Sequence, residues 1–528
     1  MTGLERRWGI SSASFDAERR LSAVFDIAGS RALVELQGNF ALFVRCLSSQ
    51  RLWLARDRLG ARAIYFAKLA AQPGWVAGTA ASAVLKASGH HFEEDEQFIA
   101  SYFSTPGQAP IRHSAFAKIQ ALAPGEIVRI KGAELHRDRT PIPMRTAVCS
   151  TDPIEAVQQF RTRLDRAVAE CTEPAANTAA MLSGGMDSGP MAVLADQHCR
   201  AGGTELIPIS WTLKRFPECD ETRWIQAFAR HLSQPVVALE SSDLLPFSDI
   251  QSFPVNPETP GYNAFRALVN RCYQTAASLG CKVILNGNAG DELYHPYHLL
   301  YLGYIHHREW KHLGRDLSQT FRLGGVSGLR HSLPLRQIGK RALQPLKRQT
   351  APQWLTNHAR KSWQPLKPWP PESADHPFPE YAQQLYGRRM ASGRAIEHFQ
   401  ATMTGVERRD PYHNEELVAF MLNAPFSFSY RHRRTKWIMR EAMHGILADR
   451  VRLKARTGLL GKFYREGQKV NQDRIRDFLF QKHTQWQHWI KPEPVDRLLN
   501  HGQASGVPPT LIDRCIGYVR WLHFWQSG

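Results

Sequence analysis

The sequence lacks the features that mark several protein classes. Its eight cysteines include no CxxC pair, so no zinc site is predicted, and we expect reduced, mostly buried thiols. No run of about 18 apolar residues indicates a membrane span, and residues 1–20 have no apolar core of the signal-peptide kind. A cytoplasmic protein is therefore expected.

Acidic residues are scarce relative to basic ones. The 528-residue chain has 67 Lys and Arg against 48 Asp and Glu, a formal net charge of +19. Residues 301–370 alone contain 13 basic and two acidic side chains. Such an excess is typical of a nucleic-acid partner, an acidic substrate or only a basic surface. Because no RNA-recognition, zinc-finger or helix-turn-helix signature is present, a solvated basic lobe is favoured over a nucleic-acid site.

The N-terminal part of the chain reads as β-rich. Short apolar runs bounded by turn residues predict strands at 33–47, 52–55, 74–79 and 125–130, and helical spacing predicts helices at 80–88 and 95–103. A polar connection with two prolines follows at 140–150. We place a domain boundary there, with one domain at 1–145 and another at 150–528.

The second part alternates between strands and helices. Residues 153–170 predict an amphipathic helix. Strands at 178–182, 205–213, 235–240 and 282–286 then alternate with helices beginning near 188 and over 220–232 and 264–279. This order is typical of an α/β fold with a doubly wound parallel sheet and helices on both faces. From residue 295 onward the pattern is mostly helical, with a basic insertion at about 300–385.

A glycine turn between the first of these strands and its helix has the chemistry of a phosphate cradle. It reads Ser183-Gly184-Gly185-Met186-Asp187-Ser188. The glycines allow the backbone to approach an anion, and free N–H groups at a helix start favour negative charge. Asp187 suits a Mg²⁺ ligand. The alternative is an ordinary strand–helix turn, since the spacing is neither the Walker loop nor G-x-G-x-x-G.

A second acidic turn follows the strand at 282–286. It reads Gly287-Asn288-Ala289-Gly290-Asp291-Glu292. Ligands of open α/β sheets lie beyond the carboxyl ends of the strands, so Asp187 and Asp291 are expected there as a shared Mg²⁺ site. The alternative is an acidic pair that stabilises a helix N-terminus.

These two turns resemble the asparagine synthetase superfamily of PP-loop ATP pyrophosphatases. Further residues similar to that family's motifs occur in the family's order: Leu36-x-Gly38-x-Phe40, Arg56-Asp57-Arg58-Leu59-Gly60, Leu122-x-Pro124-Gly125, Glu407-x-Arg409-x-Pro411-Tyr412, Lys436-x-x-x-Arg440-Glu441-Ala442 and Arg452-x-Lys454. The resemblance implies an N-terminal glutaminase-like (Ntn-type) domain followed by a synthetase domain that consumes ATP.

The resemblance also implies a mechanism and a set of roles. A carboxylate attacks the α-phosphorus of ATP to give an acyl-adenylate and pyrophosphate, and an amine then expels AMP. Pyrophosphate and nucleotide contacts fall on Leu182, Ser183, Gly184, Gly185, Asp187, Ser188 and Gly287, with Mg²⁺ on Asp187 and Asp291. Lys454 stabilises the developing negative charge, and Glu407 helps deprotonate the amine. The alternatives are a surface lysine and a structural Glu407–Arg409 pair.

The chain departs from the glutamine-dependent members at its start. Thr2 follows Met1 where those members have a cysteine nucleophile, and Cys46 is the first cysteine, within a predicted strand. The N-terminal domain therefore reads as truncated, and glutaminase activity is not expected. A start codon placed too late is the alternative.

Relatives without glutaminase activity use an amine of the substrate itself. The basic, Trp-rich insertion looks most like that of lasso peptide cyclases, which join a peptide's N-terminal amine to an Asp or Glu side chain. We therefore predict such a macrocyclase, acting on a peptide or small carboxylate, with a precursor peptide and a leader peptidase as partners. The alternatives are an asparagine synthetase, glutamine-hydrolysing or ammonia-dependent, and a catalytically silent protein that binds peptide or nucleic acid.

Overall fold

The computed structural model of the chain describes residues 17–47, 49–104, 110–140, 149–150, 152–342, 350–367, 369–387, 396–432, 434–454, 460–502 and 505–527. Thr2 lies outside these residues. The strands are β1 (Ala41–Cys46), β2 (Arg51–Arg56), β3 (Tyr65–Lys68), β4 (Trp75–Gly78), β5 (Gln120–Ala121), β6 (Glu126–Lys131), β7 (Glu134–Arg139), β8 (Thr178–Met181), β9 (Leu206–Thr212), β10 (Val237–Glu240), β11 (Val283–Leu285), β12 (Glu407–Arg409), β13 (Tyr430–Arg431) and β14 (Arg434–Thr435).

The helices are distributed more heavily toward the C-terminus. They are α1 (Ala17–Ala28), α2 (Arg31–Glu35), α3 (Ala81–Ser88), α4 (Glu96–Ser104), α5 (Pro153–Ala169), α6 (Ser188–Ala201), α7 (Thr222–Ala229), α8 (Arg266–Ser278), α9 (Leu300–His306), α10 (Trp310–His331), α11 (Leu333–Ala342), α12 (Asn357–Ser362), α13 (Pro379–Tyr386), α14 (Glu415–Leu422), α15 (Phe426–Ser429), α16 (Trp437–Ala442), α17 (Asp449–Arg452), α18 (Gly461–Val470), α19 (Gln472–Arg476), α20 (Pro492–His501) and α21 (Leu511–Ser527).

Two antiparallel sheets form the N-terminal layer, in the orders β1-β2-β6-β7 and β4-β3-β5. Successive residues of β2 point to opposite faces, as a strand requires. Leu54 packs with Phe66 between the two sheets, whereas Trp53 packs with Val24 of α1 on the outer face. The β-rich architecture predicted for this region is therefore present.

One predicted strand of this layer is wrong in its first half. Residues 33–47 were expected to be extended, but α2 covers Arg31–Glu35 and the strand begins only at Ala41. The buried side chains of Ala32 and Leu33 pack in the same cluster as Val24. A short apolar run reads alike for a buried strand and a buried helix, and the contact with α1 decides between them.

The second part is built on a five-stranded parallel sheet in the order β10-β9-β8-β11-β12. Its first four strands in chain order, and α5 to α8, lie where the sequence predicted them. The fifth strand, β12, was not predicted. It contains three residues, Glu407–Arg409, and pairs with β11 through Val283 and Leu285. Two arginines and a glutamate give no apolar strand pattern.

Alternate residues of the central strands face different helices, as a doubly wound sheet requires. Ala180 of β8 and Leu285 of β11 pack in one cluster with α5 and α6, while Ala179 and Ile284 pack in another with α8. The fold class inferred from the alternating pattern is confirmed.

The N-terminal and C-terminal parts of the chain share a hydrophobic core. Phe98 and Phe103 of α4 belong to the same buried cluster as Trp486 and Trp521. The ring of Phe103 lies 5.3 Å from that of Tyr518, and the Trp354 indole in the basic insertion donates a hydrogen bond to the Phe103 carbonyl at 3.1 Å. The described part of the insertion is mostly helical, and the segment around Trp354 contacts both halves.

Two further properties follow from the described residues. All eight cysteines are free thiols, five buried and three partly buried. None of the described helices combines the length and the apolar character that a membrane crossing requires.

Candidate active site

The direction in which successive strands are added to the central sheet reverses between β8 and β11. From β8 the chain continues to β9 and β10 on one side, while β11 and β12 lie on the other. Such a switch point opens a crevice beyond the carboxyl ends of the two central strands. The turns at 183–188 and 287–292 follow these two strands, and the Gly287 backbone lies against Ser188, where a Cβ would meet the Ser188 nitrogen at 3.0 Å.

The first turn folds tightly onto the start of α6. The Ser183 N–H donates to the Ser188 hydroxyl at 3.0 Å, and the two hydroxyl oxygens lie 2.9 Å apart. Gly184 has a φ of +70°, and a Cβ there would lie 2.9 Å from the Cβ of Trp224. Glycine is therefore required at 184 both for its backbone conformation and for space.

The Lys436 ammonium joins the two aspartates. Its Nζ is bonded to Asp187 Oδ2 and lies 2.5 Å from Asp291 Oδ1. Lys436 has a left-handed backbone, with φ of +58°, immediately before α16. The structure thus brings Asp187 and Asp291 to the same positive charge.

One oxygen of this group is available to a divalent cation. Burial raises the pKa of the Asp187 carboxyl against the opposing effect of Lys436. Burial lowers the pKa of Lys436, but Asp187 and Asp291 outweigh it, so that this pKa is raised. Within the described residues, Asp187 Oδ1 is buried without a hydrogen-bond partner. A Mg²⁺ ion would satisfy that oxygen and share both carboxylates.

Lys454 reaches the same turn from the C-terminal region. Its buried ammonium donates to the Gly184 carbonyl, lies 5.0 Å from the centre of the Trp224 ring and 4.0 Å from Glu221 Oε1. Burial lowers the pKa of Lys454 to about 8. A lysine held this way is a cation whose charge is sensitive to pH near neutrality.

Hydrogen bonds between the Lys436–Ala442 motif and the Arg452–Lys454 motif fix the position of Lys454. The Arg440 guanidinium donates to the Lys454 carbonyl at 3.0 Å and to the Arg452 carbonyl. Arg452 donates back to the Arg440 carbonyl at 3.2 Å and to Glu441 Oε1 at 3.1 Å. Because all of these groups are buried or half-buried, the reciprocal hydrogen bonds fix the backbone that carries Lys454.

Glu407 is placed differently from the other predicted site residues. It begins β12 and pairs with Val283, the first residue of β11, so it lies at the opposite end of the sheet from the two turns. Its carboxylate binds Arg62 at 2.7 Å and Arg409 at 2.9 Å. Burial favours the neutral acid, but these arginines together lower the pKa of Glu407.

A second glutamate, missed by the sequence reasoning, does lie beside the turns. The Asn288 amide donates to Glu397 Oε2 at 2.5 Å, and Arg408 lies 2.6 Å from the same carboxylate. Burial raises the pKa of Glu397 despite the nearby Arg408 charge. Glu397 belongs to none of the recognised motifs, and no spacing pattern ties it to Asn288.

A cavity of about 1100 Å³ adjoins the second turn. Gly287, Asp291, Glu292 and Glu397 contribute to its lining, together with residues of the N-terminal sheets and of α18 and α21. Glu407 does not line it. Among the described residues, no group of three or more His, Cys, Asp or Glu side chains forms a metal site by itself. A cation between Asp187 and Asp291 would therefore need further ligands, such as phosphate oxygens.

Two family models match the chain. The family model described as asparagine synthase matches residues 159–515, and the one described as a glutamine amidotransferase domain matches residues 5–140. None of the curated proteins matches the chain significantly. Among solved structures, the U34-tRNA thiolase NcsA from Methanococcus maripaludis with its 4Fe–4S cluster is similar, with 17% identity and a TM-score of 0.21. The match covers 46% of this chain and 81% of that one.

Proposed function

This chain belongs to the asparagine synthase family of ATP-dependent amide-forming ligases, and on that premise we propose that it is a peptide macrocyclase of the lasso cyclase type. The carboxylate oxygen of an Asp or Glu side chain attacks the α-phosphorus of ATP, and pyrophosphate leaves. The N-terminal amine of the same peptide then attacks the acyl carbon, AMP leaves, and the amine loses a proton to a protein base.

The observation that carries the ligase chemistry is the meeting of Asp187, Asp291 and Lys436 at the switch point of the sheet. The backbone at Leu182 and Gly287, the Ser183–Ser188 turn and the start of α6 supply neutral donors for the nucleotide. A Mg²⁺ ion on the two aspartates neutralises phosphate charge when bound. Lys454, which is bonded to the Gly184 carbonyl, stabilises negative charge on the α-phosphoryl group as the adenylate forms and collapses.

The proton acceptor has two candidates in this proposal. The family resemblance points to Glu407, whereas the geometry favours Glu397. Glu397 lines the cavity and touches the turn at Asn288, and its raised pKa makes its carboxylate a better base than one held by two arginines. Glu407 lies at the far end of β12, where its ion pair with Arg62 suits a role in joining the two halves of the chain.

The cavity of about 1100 Å³ lies near the upper end of the 300–1,000 Å³ that small-molecule sites usually occupy, a size compatible with a peptide segment. The second candidate, an asparagine synthetase, is favoured by the glutamine amidotransferase match at residues 5–140. The third, a catalytically silent binding protein, predicts no release of pyrophosphate under any condition.

Pyrophosphate release tests the proposal. It is measured with ATP, Mg²⁺ and candidate precursor peptides, and separately with aspartate plus ammonia or glutamine. We expect release only with peptide, accompanied by loss of one water mass from the peptide. Asp187→Ala and Lys454→Ala are each expected to abolish it, with Lys462→Ala, an exposed lysine paired with Glu218, as a control. Turnover of aspartate alone, or retained release in either site variant, would reject the proposal.

A further inference from the structure

Helices α10 and α11 form a projection whose base is anchored to the synthetase part of the chain. The Tyr304 hydroxyl of α9 donates to the buried Asp316 carboxylate of α10 at 3.1 Å. The two helices contact each other. Four of their apolar side chains pack against the same hydrophobic cluster as α5 and α6: Leu313, Leu317, Leu335 and Ile338. The segment between Leu317 and Leu335 is therefore fixed at both of its ends.

The distal half of α10 leaves the body of the protein. Residues 321–324 are all exposed. Because an α-helix makes one turn in about 3.6 residues, four consecutive side chains point in all directions around it. The described residues therefore cover no side of the helix at this level. Gly325, with a φ of +56°, interrupts the helical path directly afterwards. We call residues 321–333 the tip of the projection.

Large apolar side chains are concentrated at the tip. Four of them are between 52% and 73% exposed: Phe321, Leu323, Val326 and Leu333. Single exposed apolar residues are common on protein surfaces, whereas a group of them within one short segment marks an interaction surface. The partner of this surface therefore offers apolar material.

The charge of the projection is of one sign. Asp316 is the one acidic residue between 310 and 338, and it is buried at the base. Five basic side chains of the same segment are exposed: Lys311, Arg315, Arg322, Arg330 and Arg336. The complementary partner is therefore anionic next to its apolar material.

We propose that the tip binds the surface of an anionic lipid bilayer. Its apolar side chains enter the boundary between headgroups and acyl chains, while its arginines remain at the level of the lipid phosphates. A nucleic acid would match Arg322 and Arg330 but offers no apolar phase to Leu323 and Val326. The proposal replaces the solvated basic lobe expected from the sequence. It does not depend on the ligase assignment, since no residue of the tip belongs to the candidate active site.

Co-sedimentation of the full-length protein with vesicles tests the proposal. One set of vesicles is phosphatidylcholine alone, and the other contains about 30% phosphatidylglycerol, which supplies the negative surface potential. We expect the partition coefficient to be at least about tenfold larger on the anionic vesicles, which corresponds to ~1.4 kcal/mol. Equal partitioning on the two sets overturns the proposal.

An apolar double variant locates the contact without changing the charge. Phe321→Ser combined with Val326→Ser is expected to lower partitioning on the anionic vesicles at least about tenfold, because both side chains lose their burial in the bilayer. The matched control is Phe524→Ser combined with Val470→Ser, the same residue types at exposed positions elsewhere. Equal partitioning of the two double variants would mean that the net charge of the protein alone holds it on the vesicles, and would overturn the proposal.

A second pair of variants tests the arginines of the tip. Arg322→Gln combined with Arg330→Gln should also lower partitioning at least about tenfold, since each arginine lies close to the lipid phosphates. Arg161→Gln combined with Arg230→Gln removes the same charge from exposed positions elsewhere and is the control. If the arginine pair at the tip lowers partitioning but the apolar pair does not, the surface recognises a nucleic acid or an acidic protein, and the bilayer assignment is wrong.

Discussion

At the scale of single residues, Lys454 makes the proposed chemistry dependent on pH. Burial lowers its pKa to about 8, so the side chain is charged below that pH and neutral above it. The groups that face it include Glu221, which opposes the shift, and Arg440, Lys436 and Arg223, which add to it. The positive charge that stabilises the adenylate is therefore lost as the pH rises.

We expect kcat/KM for pyrophosphate release to fall on the alkaline side with an apparent pKa near 8. The measurement is a pH profile of the initial rate at saturating ATP and Mg²⁺ and at peptide concentrations well below KM, where the rate reports kcat/KM. Lys454→Arg keeps a charge at every accessible pH, and should lower the rate while moving the alkaline limb upward. A wild-type rate that stays level well above that pH would argue against a role for the Lys454 charge.

Also at the scale of single residues, Glu397 and Glu407 are expected to have different roles, the first catalytic and the second structural. Glu397→Gln removes the proposed base and is expected to lower kcat for ring closure by about 10²–10⁴-fold. It should spare the first step, so isotope exchange between pyrophosphate and ATP continues. Glu407→Gln should instead leave the chemical step nearly unchanged and lower stability, because Arg62 and Arg409 each lose one of their partners. The opposite outcome would restore Glu407 as the base.

At the scale of elements, the turn after β11 packs closely against the Asp187 side chain. A Cβ at Gly290 would lie 2.5 Å from Asp187 Cγ, and the Tyr412 hydroxyl donates to the Asp187 carbonyl at 2.7 Å. The turns after β8 and β11 and the segment after β12 thus fix one carboxylate. This contact explains why glycine at 290 and the Pro411-Tyr412 pair accompany the aspartates.

Gly290→Ala is therefore expected to push the Asp187 carboxylate out of place. The apparent Mg²⁺ affinity, measured by titrating Mg²⁺ in the pyrophosphate assay, should weaken by about 10–100-fold, as for other changes next to metal ligands. Gly314→Ala is the control, because a Cβ at that position in α10 meets no atom within 4 Å. Equal Mg²⁺ titrations of the two variants would remove Asp187 from the proposed metal site.

At the scale of the whole molecule, the two halves of the chain are joined by a common core and by ion pairs. Arg58 binds Glu415 of α14 at 2.5 Å, and Arg62 binds Glu407 of β12. Phe103 is fully buried among C-terminal helices. The boundary predicted at 140–150 divides the chain in sequence, but the described residues on its two sides pack together.

Phe103→Ala should therefore destabilise both halves together. We expect a loss of about 3–5 kcal/mol in the free energy of unfolding, the usual range for a large buried aromatic side chain. The measurement is denaturant unfolding followed by tryptophan fluorescence. Phe43→Ala, at a position 41% exposed in β1, is the control and should lose less than about 1 kcal/mol. A variant in which only an early N-terminal transition moves would show that the halves unfold independently.

The sequence by itself determined the α/β class, the central strands up to β11 and the two turns that follow β8 and β11. These features are local: apolar runs of strand length, glycines at turns, and acidic residues directly after a strand. The α2 helix and β12 could not be read in this way. Each depends on a partner outside its own pattern, Val24 of α1 in the first case and β11 in the second.

Only the tertiary structure decided which charged groups meet. Glu397 and Asn288 are more than a hundred residues apart, and Lys436 reaches Asp187 across about 250. The cavity beside the site is likewise lined by side chains from segments that lie far apart in the sequence. The reason is that a local sequence pattern indicates only which face of a helix or strand is buried. A site forms where side chains from segments far apart in the sequence come together.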